Sequence, residues 1–185
     1  MQTWQLSAFL ILSGILAYIS RRSLPLPRSH GFSRFFAWEL ILALLLLNIQ
    51  RWFADWLHWH QVISWILLSG SLAPLLFGIR ALGSRGRPDA RLRAQPELLA
   101  FEQTTQLVTA GAYGYIRHPL YSSLLLLAWG VFFKQPSWVG LFLACCVSAL
   151  LVATARRDEA ECIETFGPSY RQYMQHTRMF IPYIF

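Results

Sequence analysis

Five long runs of apolar residues constrain this chain of 185 residues more than any other feature of its sequence. A hydrocarbon core of about 30 Å is crossed by roughly 20 helical residues, or by fewer where the bilayer thins. In addition, 55% of all residues are apolar, which is too many for an ordinary soluble domain. We therefore predict an all-α integral membrane protein with about five transmembrane helices, near Thr3 to Ser20, Phe35 to Phe53, Gln61 to Leu82, Pro119 to Phe133 and Ser137 to Ala155.

The basic residues are distributed unevenly between the loops. Of the 16 lysine and arginine residues, 14 fall in the loops of one side, and only Arg51 and Lys134 fall on the other. Because basic loops remain in the cytoplasm, we predict an N-terminus outside and a C-terminus inside, in a bacterial plasma membrane or an ER-like membrane. The net charge of +7 then faces anionic lipid headgroups. It needs no nucleic-acid partner, for which the sequence has no motif.

Two polar stretches on the predicted cytoplasmic side divide the chain into three parts. These parts are a three-helix transmembrane region, a linker with a cofactor loop, and a transmembrane hairpin with a C-terminal catalytic cap, at residues 1–82, 83–118 and 119–185. In the linker, an interfacial helix is expected along Leu98, Leu99, Phe101 and Leu107. In the cap, Gly167 and Pro168 are expected to end one helix and begin the next. We expect the cap to cover the inner ends of the membrane helices and to form a cofactor pocket with them.

The stretch GAYGYIRHPLY, residues 111–121, is the most informative polar motif in the chain. Pro119 suits the first position of a helix, where its missing N–H would have no partner, and His118 would then occupy the cap position. A helix N-terminus exposes backbone N–H groups and a positive dipole end that attract anions, and Arg117 would add to this charge. The motif therefore predicts a compact anion pocket at the membrane surface, shaped by Tyr113, Tyr115 and Tyr121.

A group of acids is expected to approach this motif from the following helix. Only residues 134–137 separate the last two apolar runs, so these runs must form an antiparallel hairpin. The hairpin returns Asp158 and Glu159 to the motif, whereas Glu161 and Glu164 are expected on a solvated helix face. Carboxylates opposite an anion pocket suit a ligand that carries both a carboxylate and cationic groups, such as an amino-acid head.

Over about its last 80 residues, the chain resembles a superfamily of membrane enzymes. The segments GAYGYIRHPLY, RRDEAECIETFGPSYRQY and RMFIP follow one another as in isoprenylcysteine carboxyl methyltransferases and phospholipid N-methyltransferases. The pattern of this superfamily is Arg-His-Pro-x-Tyr, a pair of acids, Phe-Gly-x-x-Tyr-x-x-Tyr and a terminal Arg near Pro. The resemblance implies a helical membrane fold and S-adenosylmethionine as the cofactor.

The resemblance also implies roles for individual residues. Together with Arg117 of the anion pocket, the residues that match cofactor-binding positions are Leu107, Val108, Tyr113, His118, Pro119, Tyr121, Asp158 and Glu159. Glu159 and Arg178 are the candidate catalytic residues, and Arg178 would orient the acceptor or the cofactor carboxylate. Two positions depart from the pattern, because Asp158 replaces the usual Glu and Ala112 stands where Pro is frequent.

The implied reaction is an in-line displacement at the sulfonium methyl group by a lipophilic acceptor that enters from the membrane. A carboxylate acceptor is already a nucleophile, whereas an amine must first lose a proton. We expect O-methylation of a prenylcysteine-type carboxylate, with N-methylation of a phospholipid or another amine as the alternative. A membrane reductase that uses NADPH, as sterol reductases do, and a non-catalytic membrane protein with a degenerate site are two further hypotheses.

We expect no metal site in this chain. Cys145, Cys146 and Cys162 lack the spacing of metal ligands, and His58 and His60 have no third ligand nearby. One ionisable residue inside an apolar run is unusual, because a charge is costly in the membrane. This residue is Glu39, for which we expect either a functional role or a pairing with Arg34.

Overall fold

The computed structural model describes residues 3–87, 89, 98–99 and 102–184. These residues contain no β-strand, although an isolated parallel bridge joins Ile116 to Arg178. Two short 3₁₀ helices occur at Ile49–Arg51 and Gly111–Gly114. The α-helices of the described residues are α1 (Thr3–Ser20), α2 (His30–Asn48), α3 (Trp59–Arg85), α4 (Pro119–Phe132), α5 (Trp138–Phe166) and α6 (Pro168–His176).

Among the described residues, α1, α2, α3 and α5 are long and apolar enough to cross a membrane. The chain is therefore an all-α integral membrane protein, as its apolar runs predict. The fourth predicted span corresponds to α4, which has only 14 residues. At 1.5 Å per residue this helix is about 21 Å long, shorter than a hydrocarbon core of about 30 Å.

Two helices extend beyond the apolar runs that predict them. α2 begins at His30, because the Ser29 side chain accepts a hydrogen bond from the Phe32 backbone N–H and the Glu161 carboxylate accepts one from the His30 N–H. α5 continues through its charged residues and ends only at Gly167, where φ is +58° and favours glycine. The predicted helix break before α6 is therefore confirmed. The end of an apolar run indicates where the chain is expected to leave the membrane. The end of the helix itself is set by capping residues or by a glycine.

The prediction of an interfacial helix in the linker is wrong for the residues that the structure describes. Leu98, Leu99 and residues 102–110 are not helical, and Phe101 lies outside the described residues. The backbone N–H groups of Thr105 and Gln106 both donate to the carbonyl of Gly86 at the end of α3. The spacing of the apolar residues suggested a helix with one apolar face. Leu98 and Val108 are instead buried in an irregular segment.

A cluster of buried apolar residues lies where α2, α4 and α5 meet. Ala37, Ala128 and Ala155 are fully buried there, and such small side chains let membrane helices approach closely. α3 packs along α4 for the same reason, since a β-carbon added at Gly130 would lie 2.9 Å from the Leu68 side chain. α1 packs against α2 and leaves most of its apolar surface exposed, as expected for a helix in lipid.

The turn between α4 and α5 contains a buried cation. Lys134 was expected in a loop, but it is only 1% exposed. Its ammonium donates to Gln61 Oε1 at 3.0 Å and lies 3.5 Å from the ring centroid of Trp65. The Gln61 amide in turn donates to the backbone carbonyls of Arg51 and Lys134. These contacts fix the turn against α3 at the hairpin end of the bundle, which we define by Arg51, Gln61 and Lys134.

We expect Lys134→Met to lower stability by about 1 to 3 kcal/mol, because the Gln61 amide oxygen loses its donor and the contact with the Trp65 ring loses its charge. The measurement is thermal unfolding of the purified protein in detergent. Arg51→Met is the matched control, since Arg51 is exposed at the same end of the bundle. Equal stability of Lys134→Met and wild type would contradict the role given to this cation.

Candidate active site

The arginine-histidine-proline motif lies where α4 begins. Pro119 is the first residue of α4 and His118 occupies the cap position, as predicted, although the His118 side chain makes no capping hydrogen bond. The backbone N–H groups of Arg117 and His118 donate to the carbonyls of Arg178 and Met179. The motif therefore lies alongside the segment that follows α6, and both are held at the same end of the bundle.

Arg117 connects the motif to α5. Its Nε donates to Glu159 Oε1 at 2.6 Å, and its Nη1 donates to the backbone carbonyl of Thr177. Both charged side chains of this pair are only 10% exposed. The positive charge of Arg117 is thus compensated by Glu159. The predicted anion pocket therefore contains an acid beside its cations.

His118 lies between the two consecutive acids of α5. Its Nε2 is 3.3 Å from Glu159 Oε1, its Nδ1 is 3.5 Å from Asp158 Oδ2, and its ring stacks on Tyr121. Burial disfavours the charged imidazole, but the hydrogen bonds to Asp158 and Glu159 outweigh this effect and raise the pKa of His118. The two acids therefore favour the protonated form of His118.

A cavity of about 680 Å³, including its open mouth, lies beside this cluster. Residues before α4, in α4 and in α5 all contribute to its wall. The predicted cofactor-binding residues that line it are Leu107, Val108, Tyr113, Arg117, His118, Tyr121 and Asp158.

Three of the predicted site residues lie outside the cavity lining. Pro119 begins α4, and Glu159 lies behind Arg117 and His118, so the two consecutive acids have different surroundings. The Arg178 side chain is exposed, and its backbone bonds to Tyr115 and Arg117 hold the motif in place. Catalytic roles for Glu159 and Arg178 therefore remain predictions.

Several lining residues were not assigned to the site from the sequence. Phe166, Tyr170 and Tyr173 belong to the Phe-Gly-x-x-Tyr-x-x-Tyr pattern, so a signal for them was present. The Tyr173 hydroxyl donates to the Tyr113 carbonyl at 2.6 Å and joins α6 to the loop before α4. Leu120 and Cys162 lie within quoted segments at positions that had no assigned role, and no motif indicated the remaining lining residues, which are Leu82, Leu98, Glu102 and Thr104.

Two predictions about other acids need correction. Glu161 is not on a solvated face, because its carboxylate accepts from the His30 backbone N–H at 2.8 Å and lies 2.6 Å from His30 Nδ1. Glu164 is exposed, as predicted. Arg34 pairs with Glu102 instead of Glu39, and one carboxylate oxygen of Glu39 is buried with no hydrogen-bond partner among the described residues.

We expect Glu159→Gln to lower stability by about 2 to 4 kcal/mol, because it leaves the largely buried Arg117 guanidinium without a compensating charge. The measurement is thermal unfolding in detergent. Glu164→Gln removes an exposed carboxylate from the same helix and should leave the thermal midpoint within about one degree of wild type. Similar midpoints for the two variants would show that Arg117 does not depend on Glu159.

Comparison with known proteins agrees with the resemblance found in the sequence. Residues 96–167 match the phospholipid methyltransferase family. The chain is also 30% identical over 83 residues to the Delta(14)-sterol reductase TM7SF2 of Mus musculus. That alignment covers 43% of this chain and 20% of the reductase, so the chain spans about a fifth of the curated relative that it matches. No solved structure matches the chain at a significant level.

The matched segment contains the motif, the α4–α5 hairpin and the acids Asp158 and Glu159. Over residues 96–167 the chain is therefore similar to the phospholipid methyltransferases.

Proposed function

We propose that this protein transfers a methyl group from S-adenosylmethionine to a lipophilic acceptor at the cytoplasmic face of the membrane. The acceptor that we propose is a prenylcysteine-type carboxylate. The family match supports the membrane methyltransferase part of this proposal. The proposed cofactor and acceptor are supported by the mixed lining of the cavity. This lining has charged residues beside the α4 N-terminus and an apolar, aromatic wall elsewhere.

The chemistry of the lining residues fits this cofactor. S-adenosylmethionine combines a zwitterionic amino-acid head with a largely apolar nucleoside. Arg117, His118 and Asp158 offer both signs of charge for the head. The nucleoside would be held by the apolar and aromatic wall, which includes Leu107, Val108, Tyr113, Phe166 and Tyr170. When bound, the cofactor supplies an electrophilic methyl group on a sulfonium.

A second cavity supports a lipophilic acceptor. It has a volume of about 950 Å³, including its open mouth, and is lined almost entirely by apolar surface. Leu67 of α3, Leu125 of α4 and Phe180 of the C-terminal segment are among its walls. Ser122 also lines it and donates to the carbonyl of His118, so this cavity shares a wall with the motif. A hydrocarbon chain held there would lie close to the proposed cofactor.

The state of His118 favours a carboxylate acceptor over an amine. Because its contacts with Asp158 and Glu159 raise the pKa of His118 and favour the protonated imidazole, this side chain is less available as a general base. An amine acceptor must lose a proton, whereas a carboxylate acceptor needs no base. The residues of this chain would then act by orienting both substrates and by excluding water from the transfer.

One observation favours a second candidate function, an NADPH-dependent reduction. The aligned relative is a sterol reductase, although the alignment covers only 20% of that protein. The two candidates differ in the nucleotide that the cavity binds. Binding of NADPH without binding of S-adenosylhomocysteine, the product form of the methyl donor, would favour the reductase.

We expect the purified protein in detergent to bind S-adenosylhomocysteine and not NADPH, as measured by calorimetry. His118→Ala should weaken this binding by roughly tenfold, or about 1.4 kcal/mol, because His118 lines the cavity beside both acids. Arg171→Ala is the control, since Arg171 is an exposed residue of α6. A wild-type protein that binds NADPH and no S-adenosylhomocysteine would contradict the proposal.

The same preparation identifies the acceptor. It is incubated with methyl-labelled S-adenosylmethionine and either a farnesylated N-acetylcysteine or vesicles of phosphatidylethanolamine. Label that is transferred to the cysteine compound and released by base would support carboxylate methylation. Base-stable label in the phospholipid would contradict it and would favour the amine alternative.

A further inference from the structure

An ion pair outside the family motif connects α2 to the wall of the cavity. Arg34 is only 3% exposed, and its Nη1 donates to Glu102 Oε1 at 2.6 Å and to Oε2 at 2.8 Å. Glu102 lines the cavity. Burial opposes ionisation of Glu102, but the adjacent Arg34 guanidinium outweighs this effect and lowers the pKa of the Glu102 carboxyl. Both Arg34 and Glu102 are therefore charged in the folded protein.

Glu102 organises the segment that forms this wall. Its carboxylate accepts a hydrogen bond from the Leu99 backbone N–H, and its backbone carbonyl accepts one from the Thr104 N–H. Residues 102–108, which we call the linker wall, have no helix or strand to fix them. The linker-wall residues that line the cavity are Glu102, Thr104, Leu107 and Val108. The position of this wall therefore depends on a few contacts, and the pair with Arg34 joins it to a membrane helix.

The same turn of α2 is also fixed to α5, which forms another wall of the cavity. His30 Nδ1 lies 2.6 Å from Glu161, and the Thr154 hydroxyl donates to Ser33 Oγ at 3.0 Å. The first turns of α2 thus contact α5 on one side and Glu102 on the other. The Nη1 group of Arg34 donates to both oxygens of the Glu102 carboxylate, and these charge-assisted hydrogen bonds hold the two side chains close together. This end of α2 can therefore set the separation of the two walls.

We propose that Arg34 is a positioning residue of the candidate active site, which acts through Glu102 to hold the linker wall against the bound cofactor. This inference rests on the proposed function, because the cofactor is the ligand that the wall would contact. It assigns a role to a helix that lies outside the segment matched by the methyltransferase family.

The first test needs no ligand. Hydrogen exchange of the intact protein in detergent is followed by mass spectrometry over peptides that contain residues 102–108. Arg34→Met should speed exchange there by roughly tenfold. The Thr104 amide donates to the Glu102 carbonyl and the Thr105 amide to the Gly86 carbonyl, and both hydrogen bonds should open more often when Glu102 is no longer held by Arg34. Gln61→Ala is the control, since it removes hydrogen bonds at the hairpin end. Unchanged exchange in Arg34→Met, or an equal increase in Gln61→Ala, would overturn the inference.

The second test measures S-adenosylhomocysteine binding. Arg34→Met and Glu102→Gln should each raise the Kd by roughly tenfold, or about 1.4 kcal/mol. Arg34→Lys should recover part of the affinity, because it keeps the charge. The double variant should bind no more weakly than the weaker single variant, since both changes break one interaction. Additive losses, or losses matched by a Gln61→Ala variant of equal thermal stability, would mean that Arg34 has only a structural role.

The two tests separate this inference from the proposed function. If the wild type fails to bind S-adenosylhomocysteine, the proposed function is wrong, and faster exchange of the linker wall in Arg34→Met would still support the positioning of that wall. If the wild type binds and Arg34→Met changes neither exchange nor Kd, the proposed function stands and the inference is wrong.

Discussion

The candidate site depends on the compensation of charge between the start of α4 and the C-terminal half of α5. Arg117 pairs with Glu159, and His118 lies between Glu159 and Asp158. A charge buried near lipid is tolerated only when an opposite charge and hydrogen bonds satisfy it. Since the cations come from one helix start and the acids from the next helix, neither group can be buried without the other. The α4–α5 hairpin and the site are therefore formed by the same interaction.

Buried cations at the two ends of the helix bundle are stabilised by different partners. At the hairpin end, the Lys134 ammonium is satisfied by an amide oxygen and an aromatic ring, with no acid among its described contacts. At the cavity end, carboxylates take this role for Arg34, Arg117 and His118. The first arrangement fixes a turn. The second leaves charged side chains around a cavity, where a ligand with both signs of charge can bind.

Much of this structure could be predicted from the sequence, because its main determinants are local. Apolar runs predicted the membrane helices, and Pro119 and Gly167 predicted helix ends that the structure confirms. Because only a short turn joins α4 to α5, the two helices are antiparallel, and α5 returns Asp158 to the motif. The order of the motifs also indicated the family that matches residues 96–167.

The remaining features depend on contacts between distant residues, which no local pattern contains. Glu161 looked like part of a solvated face, but it binds His30, which lies 131 positions earlier in the chain. A pairing with Arg34 is one of the two expectations for Glu39, whereas the partner of Arg34 in the structure, Glu102, lies in an irregular segment. The different surroundings of Asp158 and Glu159 could not be predicted either, since they depend on which side of α5 faces the cavity.

The most direct measurement of cofactor binding in this cavity uses the Cys162 thiol, which lines the cavity one helical turn after Asp158. In a protein with Cys145→Ala and Cys146→Ala, only Cys162 remains of the 3 cysteines, and its rate of modification by a maleimide can be followed. The rate in the denatured protein serves as the reference. We expect about 1 mM S-adenosylhomocysteine to slow the modification of the folded protein by roughly tenfold, and NADPH to leave it unchanged. An unchanged rate with S-adenosylhomocysteine, or protection by NADPH instead, would contradict a methyl-donor site in this cavity.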